Sequence, residues 1–140
     1  MSVVDTAIAR LQAIALSCTG VTIKAAPITP PEDASILPLA IAHIMSGIGQ
    51  ADNATTARLL LTVNVDFHFS SLTLRSAYQQ IDAIIPEYLQ RLAGDPTLAG
   101  AVETINFPVN VRVQPATWND VVTEMVTFEV PLKFLETPIT

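Results

Sequence analysis

Three segments of this chain alternate apolar and polar residues with a period of two, and no other feature constrains the fold as strongly. Because successive side chains of a β-strand point to opposite faces, each segment predicts a strand with one apolar and one polar face. Such strands are typical of an antiparallel or mixed sheet covered by helices on a single side. The apolar positions are Leu61, Val63, Val65, Phe67 and Phe69 in the first segment, Ile105, Phe107, Val109, Val111 and Val113 in the second, and Val126, Phe128, Val130, Leu132 and Phe134 in the third.

Two prolines interrupt these predicted strands. Pro108 and Pro131 lack the N–H group that a central strand donates to its neighbours. We therefore expect each proline to lie at a sheet edge or at a bulge, where it also guards the edge against uncontrolled pairing.

A first helix is predicted near the N-terminus from apolar residues spaced four, three and four apart. It begins near Ser2 or Asp5, either of which is suited to an N-cap. Gly20 is expected to end it in the left-handed conformation. The stripe consists of Val4, Ile8, Leu11 and Ala15.

A second helix is predicted between the first and second alternating segments. Pro86 lies in its middle and predicts a kink or a break into two pieces. Gly94 is expected to end the helix, after which Asp95 and Pro96 open one more short turn. The apolar stripe is Leu74, Tyr78, Ile81, Ile85, Tyr88 and Leu92.

The rest of the chain predicts two further strands and three long loops. Residues 21–25 are rich in β-branched side chains and predict a short strand. Residues 37–45 are apolar on both faces, which leaves a helix open, but the following Gly47 and Gly49 favour a strand entering a hairpin. The loops are residues 27–35, 46–56 and 114–120.

These elements together predict an α+β fold. The sheet is mixed or antiparallel, the helices pack on one of its faces, and the element order is α-β-β-β-α-β-β. Neither an internal repeat nor a composition shift divides the chain, so a single domain of residues 1–140 is expected.

Composition and charge exclude several classes of protein. Half of the 140 residues are apolar and only 14% are charged, so disorder is excluded and part of the surface is expected to meet a partner. The net charge of −6, with seven Lys and Arg, argues against nucleic-acid binding, which needs clustered positive charge. Because no signal peptide is recognisable and no apolar run approaches the ~20 residues of a membrane span, we expect a soluble protein made in a cytoplasm, without membrane association.

Asp66 and His68 are the strongest candidates for reactive chemistry. They lie two residues apart on a predicted strand and therefore share a face, where they could serve as metal ligands or as an acid–base pair. His43 is the only other histidine, and no motif supplies a third ligand. A solvated polar sheet face explains these residues better.

Other reactive residue types have simpler structural explanations. Cys18, the single cysteine, predicts a small buried hydrophobe. Ser70 and Ser71 lack a Gly-x-Ser-x-Gly motif, and a helix N-cap explains them better. Gly47 and Gly49 lack the lysine of a phosphate-binding loop and predict a hairpin turn. We expect no catalytic residue, no metal and no cofactor, and hence no enzyme.

Several segments of the chain resemble the tail terminator, or tail completion, proteins of long-tailed bacteriophages. One is the apolar stretch Ile36-Leu37-Pro38-Leu39, which follows a proline-rich loop. Another is residues 92–100, which include the turn sequence Asp95-Pro96-Thr97-Leu98-Ala99-Gly100. The order of the predicted elements, the long hairpin loop and the closing strand also agree, so the resemblance covers most of the chain.

The resemblance implies a structural virion protein that forms a hexameric ring. Members of the family cap the tail tube, stop its polymerisation and offer a docking surface to the head. The implied partners are the tail tube protein and the head–tail connector or other neck proteins, and DNA would pass through the ring without specific binding. The implied location is the tail–neck region of the virion, and the host cytoplasm during assembly.

Two alternatives remain beside this interpretation. One is another neck or head–tail joining ring protein. The other is a small α+β ligand-binding domain or enzyme that uses the polar sheet face around Asp66 and His68. Solution mass helps to separate the classes: a ring subunit is expected as a hexamer or as a monomer that assembles on its target, whereas the enzyme interpretation predicts a pocket with a ligand.

Ten residues in the three predicted loops are candidates for contacts with partners or other subunits. Polar and proline-rich loops of this kind order themselves on docking. Trp118 is either packed onto its own sheet or an interface anchor. The candidates are Pro30, Pro31, Glu32, Asp33, Gln50, Asp52, Asn53, Trp118, Asn119 and Asp120.

Overall fold

The computed structural model describes residues 2–24, 26, 37–51, 54, 56–118, 120–135 and 137–138. Within them the α+β class is confirmed, but the element order is α-β-β-α-β-β-β-β. The helices are α1 (Val3–Leu16) and α2 (Leu74–Ala93). The strands are β1 (Leu39–Ala51), β2 (Thr56–Ser70), β3 (Thr104–Ile105), β4 (Asn110–Trp118), β5 (Val121–Lys133) and β6 (Thr137–Pro138).

The described strands form one sheet in which every pairing is antiparallel. Its order is β1-β2-β5, and β3 and β4 lie one after the other along the far side of β5. The short β6 pairs with the start of β2. As a result, β1 and β4 are edge strands at opposite sides of the described sheet.

One face of the sheet forms the hydrophobic core together with both helices, as the alternation predicts. The rings of Phe67, Phe128 and Tyr88 meet at its centre, with centroids 4.8–5.4 Å apart. The Tyr88 hydroxyl donates a 3.0 Å hydrogen bond to the Leu11 carbonyl oxygen and so joins α2 to α1. The strand residues of this face include Ala40, Ala42, Val63, Val65, Phe67, Phe69, Val126, Phe128, Val130 and Leu132. We call it the core face, and the opposite one the second face.

Helix α1 begins as predicted, whereas its expected end at Gly20 is wrong. Ser2 is the N-cap and forms a capping box with Asp5. The helix ends at Leu16, and Gly20 does not adopt the left-handed conformation. Gly20 instead lies against Glu87 of α2, whose Oε1 accepts its N–H at 2.8 Å and would lie 2.9 Å from an added Cβ. The close approach of the Glu87 carboxylate therefore explains the glycine at position 20, and a left-handed backbone conformation does not.

The strand predicted at residues 21–25 is wrong, because residues 21–24 are irregular. Val21 and Ile23 are nevertheless buried in the core. The Lys24 N–H donates to the Pro38 carbonyl oxygen at 2.9 Å. These apolar side chains therefore anchor a connecting segment and do not extend the sheet.

Helix α2 is continuous through Pro86, so the predicted alternative of two pieces is wrong. Its buried stripe is rotated about the helix axis relative to the prediction, so that Ala77 and Ile84 are buried in place of Tyr78 and Ile85. Leu74 and Tyr78 are half exposed. Gly94 caps the helix as predicted, and Asp95 Oδ1 then accepts the Ala99 N–H at 3.0 Å in the expected turn. The buried residues of α2 are Ala77, Ile81, Ile84, Tyr88 and Leu92.

The strand predicted over residues 105–113 is interrupted at residues 106–109, between β3 and β4. Pro108 lies in this interruption. Pro131 lies inside β5, not at an edge or bulge, and its carbonyl oxygen accepts the Asn106 N–H at 2.8 Å. Because the N and O atoms of a strand residue face the same neighbour, the missing N–H of Pro131 faces the interruption. A gap in the neighbouring strand thus accommodates this proline.

Two of the predicted loops are largely strand. β1 continues to Ala51 and β2 begins at Thr56, so most of residues 46–56 belongs to a long hairpin. Residues 37–45 accordingly contain the start of a strand and no helix. β4 likewise runs to Trp118, through most of residues 114–120. In both places the strand is exposed on its two faces, so apolar alternation, the sequence signal of a strand, is missing.

Candidate functional site

The second face of the sheet carries a hydrogen-bonded polar network across three strands. His43 Nε2 of β1 lies 2.8 Å from Asp66 Oδ2 of β2. The Thr127 hydroxyl of β5 donates to the other carboxylate oxygen, Oδ1, at 2.7 Å. His68 Nδ1 lies 2.9 Å from the Thr123 hydroxyl on the same face. The structure therefore brings together both histidines and the aspartate that the sequence singled out.

The centre of this network is buried, so the prediction of a solvated polar face is wrong there. His68 is 6% exposed and Thr127 is 1% exposed, whereas the side chain of His43 at the β1 end is 44% exposed. The Asn64 Oδ1 atom is buried with no hydrogen-bond partner among the described residues. At the β4 edge the face ends in an ion pair between Arg112 and Glu129, with a 2.7 Å contact. Burial with internal hydrogen bonds favours a structural role for these polar side chains.

The two histidines differ in their electrostatic environment. The hydrogen bond to Asp66 raises the pKa of His43 above its ordinary value of 6.5, against the opposing effect of partial burial. Burial lowers the pKa of His68 below that value, although the Asp66 charge opposes it. Burial alone would raise the pKa of Asp66, but hydrogen bonds from His43 and Thr127 hold it below its ordinary value of 3.8.

We predict that the two imidazoles titrate on opposite sides of pH 6.5. His43 contributes stability that is complete below its unfolded pKa of 6.5 and is lost as pH rises through the higher folded pKa. His68 acts oppositely, because its folded form resists protonation, so its contribution falls as pH drops below 6.5. NMR titration of the imidazole Cε1–H signals measures both midpoints, and Asp66→Asn should lower both. A shared midpoint near 6.5 in the folded wild type contradicts the network.

The geometry of Asp66, the two histidines and Ser71 gives little support to a catalytic or metal-binding site. Both oxygens of Asp66 are engaged by His43 and Thr127. Among the described residues, no group of three or more His, Cys, Asp or Glu side chains is arranged to hold a metal ion. Ser71 Oγ donates to the Val122 carbonyl oxygen at 2.8 Å, and the α2 N-cap is Thr73, so the predicted N-cap role of Ser70 and Ser71 is wrong.

The outer part of β1 has an unusual surface for an edge strand. All eight residues of segment 44–51 are exposed, including Ile44, Met45 and Ile48 at 50–62%. The segment contains no charged residue and no proline. Edge strands usually carry such residues because they prevent pairing with other chains. We call residues 44–51 the open segment of β1.

The backbone of the open segment is free to accept another strand. In an antiparallel ladder, alternate residues direct their N–H and C=O groups to opposite sides of the strand. The Ala42 N–H donates to Gln12 Oε1 and so points away from β2, which means that His43 and its partner Asn64 face each other. Thr62 and Leu60 therefore also face β1 and meet Ser46 and Ile48. The residues between these partners, Gly47, Gly49 and Ala51, therefore direct their backbone groups outward. No described residue forms a strand pair on that side.

The inner part of β1 is protected from such pairing by α1. The outward N–H of Ala42 donates a 2.9 Å hydrogen bond to Gln12 Oε1. Gln12 is only 2% exposed, so the contact is shielded from water. The register of β1 then shifts at Met45, and the open segment begins there. Only the outer half of this edge is left available.

The ten predicted contact residues are only partly placed by the structure. Gln50 is exposed in the open segment, where the sequence predicted a loop. The Trp118 backbone ends β4 opposite Val121, and its side chain lies outside the described part. Asp120 is exposed in the following turn with φ 66°. The other seven, which lie outside the described residues, are Pro30, Pro31, Glu32, Asp33, Asp52, Asn53 and Asn119.

Comparison with known proteins adds no family to this description. No known protein-family model matches the chain, and no curated protein matches it. Neither described helix has the combined length and apolarity of a membrane-crossing helix. The resemblance to tail terminators stays a prediction from the sequence.

Proposed function

We propose that this protein is a structural subunit that assembles with copies of itself into a ring, and that it acts as a tail terminator of a long-tailed phage. The observation that carries the proposal is the open segment of β1, residues 44–51. It is a long, exposed, uncharged and proline-free strand edge. In this role the ring caps the tail tube, stops addition of further tube subunits and offers its other side to the head.

Physical reasons connect such an edge to assembly. Each outward N–H and C=O group pairs with water in the monomer and can exchange that water for a neighbouring strand. Exposed Ile44, Met45 and Ile48 add apolar area that is removed from water on contact, at about 25 cal/mol per Å². Recognition of this kind gains affinity from the main chain and specificity from the alternate side chains.

The charge of the subunit agrees with a ring through which DNA passes. With a net charge of −6 and seven Lys and Arg residues, the chain has little positive charge with which to retain phosphate groups. Copies with the same net charge repel one another, so contacts that rely on the uncharged open segment are favoured. This arrangement also makes assembly more sensitive to salt than the fold itself is.

The proposal is tested by producing phage particles without this protein and imaging them. We expect tails of uncontrolled length that do not join heads, and restoration of normal tails when the wild-type protein is added. His68→Gln serves as a matched control, because it changes the buried network and leaves the open segment unchanged; it should restore tails as the wild type does. Normal tails without the protein overturn the tail terminator role.

A different result points to the remaining alternatives. Tails of normal length that fail to join heads indicate another neck ring protein. Failure of a folded His68→Gln protein to restore tails indicates that the second face carries the function, as the enzyme or ligand-binding interpretation requires.

A further inference from the structure

We infer that the subunits join head to tail by strand pairing, with the open segment of β1 in one copy beside the outer edge of β4 in a second copy. This inference rests on the proposed self-assembly and names its geometry. It makes the sheets of neighbouring subunits continuous around the ring. Four features of the described edges lead to it.

The first feature is a matching free edge on the same chain. The Asn106 and Glu103 N–H groups donate to Pro131 and Lys133 of β5, so the odd-numbered residues of β5 face the β3–β4 side. Their partners on β4 include Arg112, which therefore faces β5. By alternation, Val111 and Val113 direct their backbone groups outward. No described strand pairs with them there.

The second feature is strand direction. Every pair in the sequence β1, β2, β5, β4 is antiparallel, so β1 and β4 run in opposite directions. A second copy placed beside the first with the same orientation puts its β1 antiparallel to β4. The alternation of strand direction thus continues from copy to copy without a reversal, as cyclic symmetry requires.

The third feature is agreement between the faces of the two edges. Gly47 and Gly49 lie opposite Leu61 and Leu59 and belong to the core face. The outward residue Val113, opposite the core residue Val126, belongs to the same face. Pairing these outward backbone groups therefore keeps the helices of both copies on the same side of the joined sheet. If the outward residues of the two edges belonged to opposite faces, pairing them would place the helices of the second copy on the other side of the joined sheet.

The fourth feature is the chemistry along the two edges. An added Cβ at Gly49 would meet no atom within 4 Å, and Gly49 has no positive φ, so the described fold gives no reason for glycine there. Glycine within a strand often marks close approach of another backbone. On β4, the N atom of Pro115 points outward and carries no hydrogen, so pairing is limited to residues 110–114. On β1, the contact between Ala42 and Gln12 limits pairing to the open segment.

Head-to-tail pairing is favoured over two-fold pairing because it satisfies both edges. A contact of β1 with β1 closes a dimer and leaves the edge of β4 open in each copy. A contact of β1 with β4 pairs both of these edges in every copy once the ring closes. Val113 is level with Ala40 of its own β1, through Val126 and Phe67. If Val113 pairs with Gly47 of the next copy, the copies shift by six residues along the strands, because Phe67 and Leu61, the β2 partners of Ala40 and Gly47, are six residues apart. This shift is about 20 Å at ~3.3 Å per residue, and tilted strands in a closed barrel have such a stagger.

Disulfide trapping between copies tests the pairing. Ile48→Cys, on the second face, is mixed and oxidised with separately prepared Asn110→Cys, Arg112→Cys or Gln114→Cys, which lie on the same face of β4. At least one of these mixtures should give a cross-linked pair in high yield, since a disulfide needs Cα atoms about 5.5 Å apart. The native Cys18 stays unreactive because burial raises its pKa to about 11.

The control uses the opposite face of the same strand. Ile48→Cys mixed with Val113→Cys should give at most a few per cent of the cross-linked product. If the protein is oligomeric by solution mass but the cross-link forms only between two Ile48→Cys copies, only with Val113→Cys, or not at all, the pairing is wrong and the ring proposal survives. A protein that stays monomeric at all concentrations, does not assemble on tail tubes and gives no cross-link overturns both.

Discussion

Phe128→Asp is expected to leave the chain without a stable fold. Phe128 is fully buried and its ring contacts those of Phe67 and Tyr88. Removing a buried Phe side chain alone costs about 3–5 kcal/mol, and an unpaired buried carboxylate adds several more. The total is comparable to the free energy of unfolding of a typical domain, which is about 5–15 kcal/mol. Circular dichroism during urea titration should show no cooperative transition.

Gln114→Asp is the matched control for this prediction, because Gln114 is exposed on β4. Its urea midpoint should stay within error of the wild type. Thr127→Asp, which the sequence alternation predicts to be harmless, should instead be destabilising, because it places a second carboxylate beside Asp66 in a buried site. A cooperative, near-native transition for Phe128→Asp contradicts the described core.

Gly49→Pro is expected to weaken assembly strongly without unfolding the subunit. The Gly49 N–H points away from β2, so proline removes a donor that the described ladder does not use, and an added Cβ meets no neighbour within 4 Å. In the proposed ring the same change would leave an acceptor of the next subunit unpaired. That loss is worth about 1–3 kcal/mol, or roughly 5- to 150-fold in the dissociation constant of each contact. Sedimentation and light scattering measure it.

Ile48→Pro provides the comparison, because the Ile48 N–H faces β2 within the subunit. This variant should lower the urea midpoint, whereas Gly49→Pro should not. Oligomers of unchanged mass and affinity in Gly49→Pro would show that the open segment is not the contact. A fall in stability equal to that of Ile48→Pro would show that the outward direction of Gly49 is wrong.

The elements that the sequence predicts well are those whose two sides have different environments. β2 and β5 alternate clearly because one face enters the core and the other does not. The start of α1 follows from the capping residue Ser2, whose hydrogen bonds are local. Hydrophobic periodicity and capping act over a few residues, so a single chain segment contains the information.

The predictions that failed concern segments whose surroundings come from distant parts of the chain. Gly20 is explained by Glu87, 67 residues away. The sequence predicts loops at the open segment of β1 and at the end of β4, because both sides of these strands are exposed and show no apolar alternation. In such segments the backbone hydrogen bonds to a neighbouring strand determine the conformation, and the side-chain pattern does not indicate a strand.

For the candidate site, the residue types follow from the sequence. It provides an uncharged, proline-free stretch with two glycines, and a strand face that carries Asp66 and His68. The arrangement of these residues comes from the fold, which makes the stretch an open strand edge and joins Asp66 to His43 and the buried Thr127 in a network. The physical reason is that strand pairing and burial are properties of the assembled sheet, because each depends on which distant segments lie beside the strand.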